Sequence, residues 1–191
     1  MKLRIEKSIP LQVPPQAAWD LLRDLEATAG CMPGAKITER IDDTHYKGTV
    51  TVKVGPATLA FRGDIELLEV DPSARSLRLK GKGTDATGAS AATMELAARV
   101  EPADGGSSTL VGASETTMSG KIAAFGGRLM NSVSEQILEQ FAANFAARAA
   151  AYAAPAGSAA PPPPEAPAEL DGLAFAWAVF KRWLRGLFGK R

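Results

Sequence analysis

Cysteine and histidine are nearly absent from this chain: Cys31 and His45 are the only ones among 191 residues. A single thiol cannot close an internal disulfide, and the default reading is a reducing compartment. One imidazole and one thiolate leave almost nothing to hold zinc, haem or an iron–sulfur cluster, so the expectation is a chain with no metal of its own. Catalysis is short of material for the same reason. Any Ser/His/acid set has to run through His45, which follows the turn signal Asp42-Asp43-Thr44 and reads as a surface bystander. Cys31 has no histidine near it in sequence and reads as a buried, inert thiol. The N-terminus, Met1 to Lys7, lacks an apolar run of signal-peptide length, which predicts a chain that stays in the cytoplasm.

A phosphate loop is lacking too. The glycine-rich stretch Gly81-Lys82-Gly83-Thr84-Asp85-Ala86-Thr87-Gly88 does not fit the required spacing of Gly, four residues, then Gly-Lys-Ser/Thr opening a helix. Its glycines read as sitting between two strands, where bulges or close backbone approach explain them. Gly120-Lys121 fails as well, because Ile122 follows.

The net charge of +1 averages two unlike regions. Lys181, Arg182, Arg185, Lys190 and Arg191 give residues 173–191 a charge of +5 with no acid, which leaves the rest of the chain at −4. A mildly acidic body argues against nucleic acid as a partner. Between the two regions, Pro155 to Asp171 holds six of the thirteen prolines among Ala, Gly, Ser and Glu. That composition makes no core and favours extended conformations, with a reach of roughly 50 Å at ~3.1 Å per residue. Three regions follow: 1–152, a folded domain; 153–171, a flexible linker; and 172–191, an amphipathic helix.

Within the first region period-two alternation dominates. Leu3, Ile5, Ile9, Leu11 and Val13 share a face. Tyr46, Val50, Val52 and Val54 repeat the pattern, as do Leu59, Phe61, Ile65 and Leu67, then Leu77 and Leu79, then Ala92, Met94, Leu96, Ala98 and Val100. Each run reads as a strand with one buried face. Further strands are read at about 35–41 and 107–119. Turn signals at Asp42-Asp43, Gly55-Pro56, Asp71-Pro72-Ser73 and Asp104-Gly105-Gly106 separate the runs so closely that neighbours must be antiparallel. Pro14-Pro15 opens one helix with the stripe Ala18, Trp19, Leu22 and Leu25. A second, from about Lys121 to Tyr152, carries Ile122, Gly126, Leu129, Val133, Ile137 and Phe141. The predicted fold class is α+β: a curved antiparallel sheet of about six or seven strands wrapped around its long C-terminal helix.

The tail carries the strongest compositional signal. Leu173, Trp177, Phe180, Trp183, Leu184, Leu187 and Phe188 fall on one helical face, flanked by Lys181 and Arg185. The uncharged run Gly172 to Phe180 is nine residues long, against ~20 for a membrane span. Such a helix is read as lying on an anionic membrane, with a partner groove as the other choice.

Particular residues add a resemblance. Cys31-Met32-Pro33-Gly34 follows the first helix, Val52-Lys53-Val54-Gly55-Pro56 ends a strand, and Phe61-Arg62-Gly63 and Gly81-Lys82-Gly83 follow. Gly120-Lys121-Ile122-Ala123, Gly127-Arg128-Leu129 and Phe141-Ala142-Ala143-Asn144 complete the set. In order and spacing over about residues 1–150 these resemble the carbon monoxide dehydrogenase G-subunit (CoxG) family within the START-like, or SRPBCC, helix-grip superfamily. The resemblance implies a binding fold with an apolar cavity between sheet and long helix. It also implies association with a molybdenum CO dehydrogenase or a related molybdenum hydroxylase, at the inner face of the cytoplasmic membrane.

On that basis the expected function is non-catalytic: recruiting the enzyme to the membrane and carrying an isoprenoid quinone, menaquinone or ubiquinone, or a similar apolar lipid. A pure tether without ligand is one alternative, and a cyclase- or hydrolase-type enzyme of the superfamily another. The expected cavity liners, from strand alternation and helical spacing, are Trp19, Leu22, Phe61, Met94, Met118, Phe125, Leu129, Met130 and Val133. The methionines among them suit an adaptable cavity and suit a plain core equally well. Gln140 and Asn144 fall on the helix face of Val133 and Ile137, as ligand partners or as the point where the stripe has already left the sheet.

Overall fold

The computed structural model describes residues 1–153, and the linker and tail readings for 154–191 lie outside the described residues. Strand β1 (Lys2–Leu11) leads into helices α1 (Pro15–Arg23) and α2 (Leu25–Ala29). Six strands follow: β2 (Ala35–Arg40), β3 (His45–Val54), β4 (Ala57–Asp71), β5 (Ser76–Asp85), β6 (Ser90–Pro102) and β7 (Ser108–Gly120). Helix α3 (Gly127–Ala153) closes the domain. The seven strands form one antiparallel sheet in the order β1-β7-β6-β5-β4-β3-β2. Each sequence-predicted turn signal falls at a connection between strands, with Asp71 as the last residue of β4, because Asp, Gly and Pro hold the turn geometries that extended residues resist.

Register puts one side of every strand on the same face. Ile5 pairs with Ser114, Ser114 with Leu96, Leu96 with Leu79, Leu79 with Leu67, and Ile65 with Tyr46. These residues share the inner face, towards which α3 packs, while Arg4, Glu95, Arg78 and Lys47 point outward. The sheet curves where glycines allow it. Gly63 pairs with Gly83, and a side-chain carbon on Gly63 would collide with the Lys82 carbonyl, so the backbones close up there only because residue 63 is glycine.

Three expectations change. The first helix is broken: Asp24 leaves helical geometry at φ −82°, ψ 93° and accepts a hydrogen bond from the Ala27 amide at 2.9 Å. Leu25 therefore begins a second short helix with its own cap. The long helix begins at Gly127 rather than Lys121. Residues Lys121–Phe125 form a 3-10 turn bracketed by Gly120 (φ +74°) and Gly126 (φ +81°), conformations an α-helix does not contain. Lastly, Gly81 and Gly83 lie inside β5 and not between strands; only Gly88 occupies the turn.

Candidate functional site

Two separate cores hold α3 against the sheet. At one end, α1 and α2 cover the finish of β1 and β6 and the start of β7, and bury Leu11, Trp19, Leu21, Val100 and Phe145 almost completely. Phe141 and Phe145 of α3 stack there with ring centroids 5.5 Å apart. At the other end, Val54, Phe61, Met118, Ile122 and Met130 form a second core, with Phe125 and Val133 packed against it. The hairpin between β5 and β6 secures that end. Asp85 accepts from the Ser90 amide at 2.8 Å and the Thr87 hydroxyl at 2.7 Å, and Ser90 Oγ accepts from the Ile122 amide at 3.1 Å. The Thr87 hydroxyl, more than the Ser90 amide, holds the Asp85 carboxyl below its ordinary value.

Between the cores the helix and the sheet do not close. Ile5, Met94 and Leu96 on the sheet, and Ile137 and Leu138 on the helix, are half-buried and belong to neither core. The sheet beneath is glycine-floored. A side-chain carbon placed on Gly112 would meet no heavy atom within 4 Å, and one on Gly81 only the Met94 methyl at 3.9 Å. Close-packed interiors have no such vacancy. The inner face of the sheet is therefore open over these glycines, a gap between the two cores, with the Ser114 and Thr116 side chains as the polar groups of β7 on that face. Two shallow depressions, about 280 and 240 Å³, indent the outer face of the sheet instead. Their surroundings, including Arg4, Glu95, Arg62 and Lys82, are charged in both signs and suit water better than an apolar molecule.

The sequence-predicted liners divide. Phe61, Met118 and Met130 are buried together in the second core with Phe125 and Val133 beside them, and they bound one end of the gap. Met94 is half-buried on the inner face of β6, outside both cores. Trp19 and Leu22 are 2% and 4% exposed inside the first core, where they pack against other side chains. Leu129 is 37% exposed, because a helix starting at Gly127 turns Met130 towards the sheet and leaves Leu129 at the rim. Ile5, Leu96 and Ile137, which alternation and helical period place on inner faces, are half-buried and outside both cores, as is Leu138. The missing signal is a break in packing, which no periodicity reports.

Reactive chemistry does not assemble around this space. His45 is exposed at the start of β3, bonded to Asp42 of the preceding turn at 3.0 Å. The Thr44 amide and the His45 ring together hold the Asp42 carboxyl well below the usual carboxylate range. Cys31 is 1% exposed, and burial pushes its thiol up. Among the described residues no group of three or more His, Cys, Asp or Glu side chains is placed to hold a metal ion. Asn144 Nδ2 donates to the Cys31 carbonyl at 2.9 Å, so that amide is already engaged within the protein. Gln140 is exposed. Among the described residues no helix is long and apolar enough to cross a membrane. The membrane-binding set from Leu173 to Phe188 lies outside the described residues.

The family described as the carbon monoxide dehydrogenase G-subunit (CoxG) matches residues 8–150. No curated protein matches the sequence. Among solved structures, a conserved protein from Geobacillus kaustophilus is 22% identical with a TM-score of 0.69, covering 78% of this chain and 95% of its own. The Zhui aromatase/cyclase from Streptomyces sp. R1128 is 16% identical with a TM-score of 0.59, covering 82% and 99%. A START superfamily protein from Mycobacterium smegmatis is 14% identical with a TM-score of 0.54, covering 77% and 97%. At these identities the likeness is one of fold: the sheet and helix are those of the START-like helix-grip architecture.

Proposed function

The chain belongs to the carbon monoxide dehydrogenase G-subunit (CoxG) family, and from that membership we propose that it is a non-catalytic accessory protein of a molybdenum CO dehydrogenase. In this reading the gap between sheet and α3 takes up an isoprenoid quinone, menaquinone or ubiquinone, and residues 173–191 hold the protein on the anionic inner face of the cytoplasmic membrane. The single observation that supports the ligand reading is the open, half-buried stretch of inner face between the two cores.

The chemistry of the partner supplies the reason for a quinone. Oxidation of CO by water releases CO2, two protons and two electrons, and a quinone takes up the same two electrons and two protons to become the quinol. Quinones have long apolar tails and reside in the bilayer, where a water-soluble enzyme does not reach them. A carrier with an apolar slot solves that geometry, and a linker of roughly 50 Å reach keeps it near the surface. Affinity would come from apolar burial at ~25 cal/mol per Å², before ordering costs. The exposed His45 and the buried Cys31 thiol weigh against the cyclase- or hydrolase-type alternative, since neither faces the gap. Native mass spectrometry of the full chain after incubation with menaquinone or ubiquinone tests the carrier directly. A one-to-one adduct is expected; its absence with both quinones leaves only the tether.

A further inference from the structure

Lys7 is the one charged residue that strand register turns towards the inner face of β1. It lies between Ile5 and Ile9 on the same side, and it pairs with Gly112 of β7. A side-chain carbon on Gly112, a glycine inside a strand, would meet no heavy atom within 4 Å. Lys7 is exposed, and among the described residues no carboxylate lies within 4.0 Å of its amine and no hydrogen bond engages it. Its neighbours differ: Lys2 and Arg4, on the opposite face, both pair with Glu115 at 3.2 and 2.8 Å. The side chains next along this face of β7 are Ser114 and Thr116, whose hydroxyls have no hydrogen-bond partner among the described residues. A flexible ammonium and two hydroxyls thus share the inner face of the sheet with the half-buried Met94 and Leu96, and Ile137 and Leu138 of α3 are half-buried as well.

From this juxtaposition the geometry points to a head-group site: the gap takes a ligand whose apolar body lies between sheet and helix and whose acceptor oxygen meets Lys7 at the β1 edge. The inference rests on the carrier reading and specifies the polar end of the ligand. Lysine has three donors and no acceptor, so its partner has to be an oxygen carrying lone pairs, and a charged donor makes the stronger kind of hydrogen bond. A quinone carbonyl and a fatty-acid carboxylate both qualify; a plain hydrocarbon does not. Glycine opposite the lysine is what gives the head group room, since any side chain there would stand where the oxygen belongs.

The full chain and its Lys7→Met and Lys7→Arg variants are titrated with menaquinone, palmitate and squalene, following tryptophan fluorescence with native mass spectrometry as the count of bound ligand. Lys7 is exposed on an edge strand, so the fold does not depend on it. Lys7→Met is expected to weaken the oxygen-headed ligands about tenfold while leaving squalene unchanged, and Lys7→Arg to stay within about threefold of wild type. A larger loss for palmitate than for menaquinone identifies an anionic head, and the reverse a carbonyl; either outcome supports the site. Equal affinity of Lys7→Met and wild type for all three overturns it. That includes the case in which the variant self-associates, since an inward lysine on an edge strand also discourages edge-to-edge pairing. If wild type binds none of the three, the carrier reading itself fails, an outcome separable from failure of the head-group site alone.

Discussion

Asn144 on α3 donates its amide to the backbone carbonyl of Cys31 at 2.9 Å, across 113 residues of chain. The bond ties the C-terminal half of the helix to the segment after α2, beside the first core. It leaves the N-terminal half to be held by the second core alone. The unfilled stretch lies between these two attachments.

Replacing Asn144 by Ala removes a donor and leaves the Cys31 carbonyl without its partner. The expected cost is about 1–2 kcal/mol of stability, read as a lower urea midpoint at unchanged m-value. Ligand uptake should not change, since the amide faces the loop and not the gap.

Gly112→Leu separates folding from binding. The position has ordinary strand geometry and open space around an added Cβ, so a larger side chain starts without a clash and improves strand propensity. Thermal stability is expected to hold or rise while menaquinone uptake falls at least tenfold. A variant that binds as wild type does would show that the ligand lies elsewhere.

Cys31 is expected to resist thiol reagents in the folded protein. Its Sγ is buried and directed at the Ala27 carbonyl at 3.5 Å, and burial raises its pKa from the ordinary thiol value. Modification at about pH 8 should be slow until denaturant is added and rapid afterwards. Fast reaction without denaturant would contradict the burial.

Asp85 gives the stability an acid limb. Its folded carboxyl lies below the ordinary value of 3.8 because the Thr87 hydroxyl and the Ser90 amide bond the charged form. Its contribution is therefore fully present above the unfolded pKa and is lost as the pH falls through the depressed folded value. Asp85→Asn should be less stable than wild type at about pH 7. The difference should shrink below about pH 4, as followed by thermal unfolding at a series of pH values.

The tail carries a prediction that involves no ligand. Full chain is expected to sediment with vesicles containing anionic lipid, whereas a chain ending at Ala153 is expected to stay in the supernatant. Added salt should weaken the association, because five basic residues supply an electrostatic part of it. Equal pelleting of both chains would remove residues 173–191 from membrane binding.

Much of the fold was legible before any coordinates. Alternation at Tyr46 to Val54 or Ala92 to Val100 is a local consequence of a strand with one wet face, and it needs no partner to be seen. The antiparallel order followed from connections too short for a crossover. Helix limits were less legible. Ile122 and Gly126 fit the helical stripe of α3 by spacing, yet positive φ at Gly120 and Gly126 stops the helix from forming there. Glycine permits that conformation without announcing it. Of the residues expected to line a cavity, Phe61, Met118 and Met130 lie in one core and Trp19 and Leu22 in the other, a division that periodicity does not report.

The sequence by itself determined which side of each element is apolar, where the turns fall, that one thiol and one imidazole are poor material for catalysis, and that the basic end differs from the body. Those are properties of residue type and spacing, fixed within a few positions along the chain. Only the tertiary structure decided where apolar faces meet and where they fail to. The contact of Met130 with the far end of the sheet and the closure of α1 over the near end depend on how distant elements pack, and the opposition of Lys7 to Gly112 on the register of β1 against β7. Packing is a sum over residues distant in sequence, so a vacancy within it leaves no local trace.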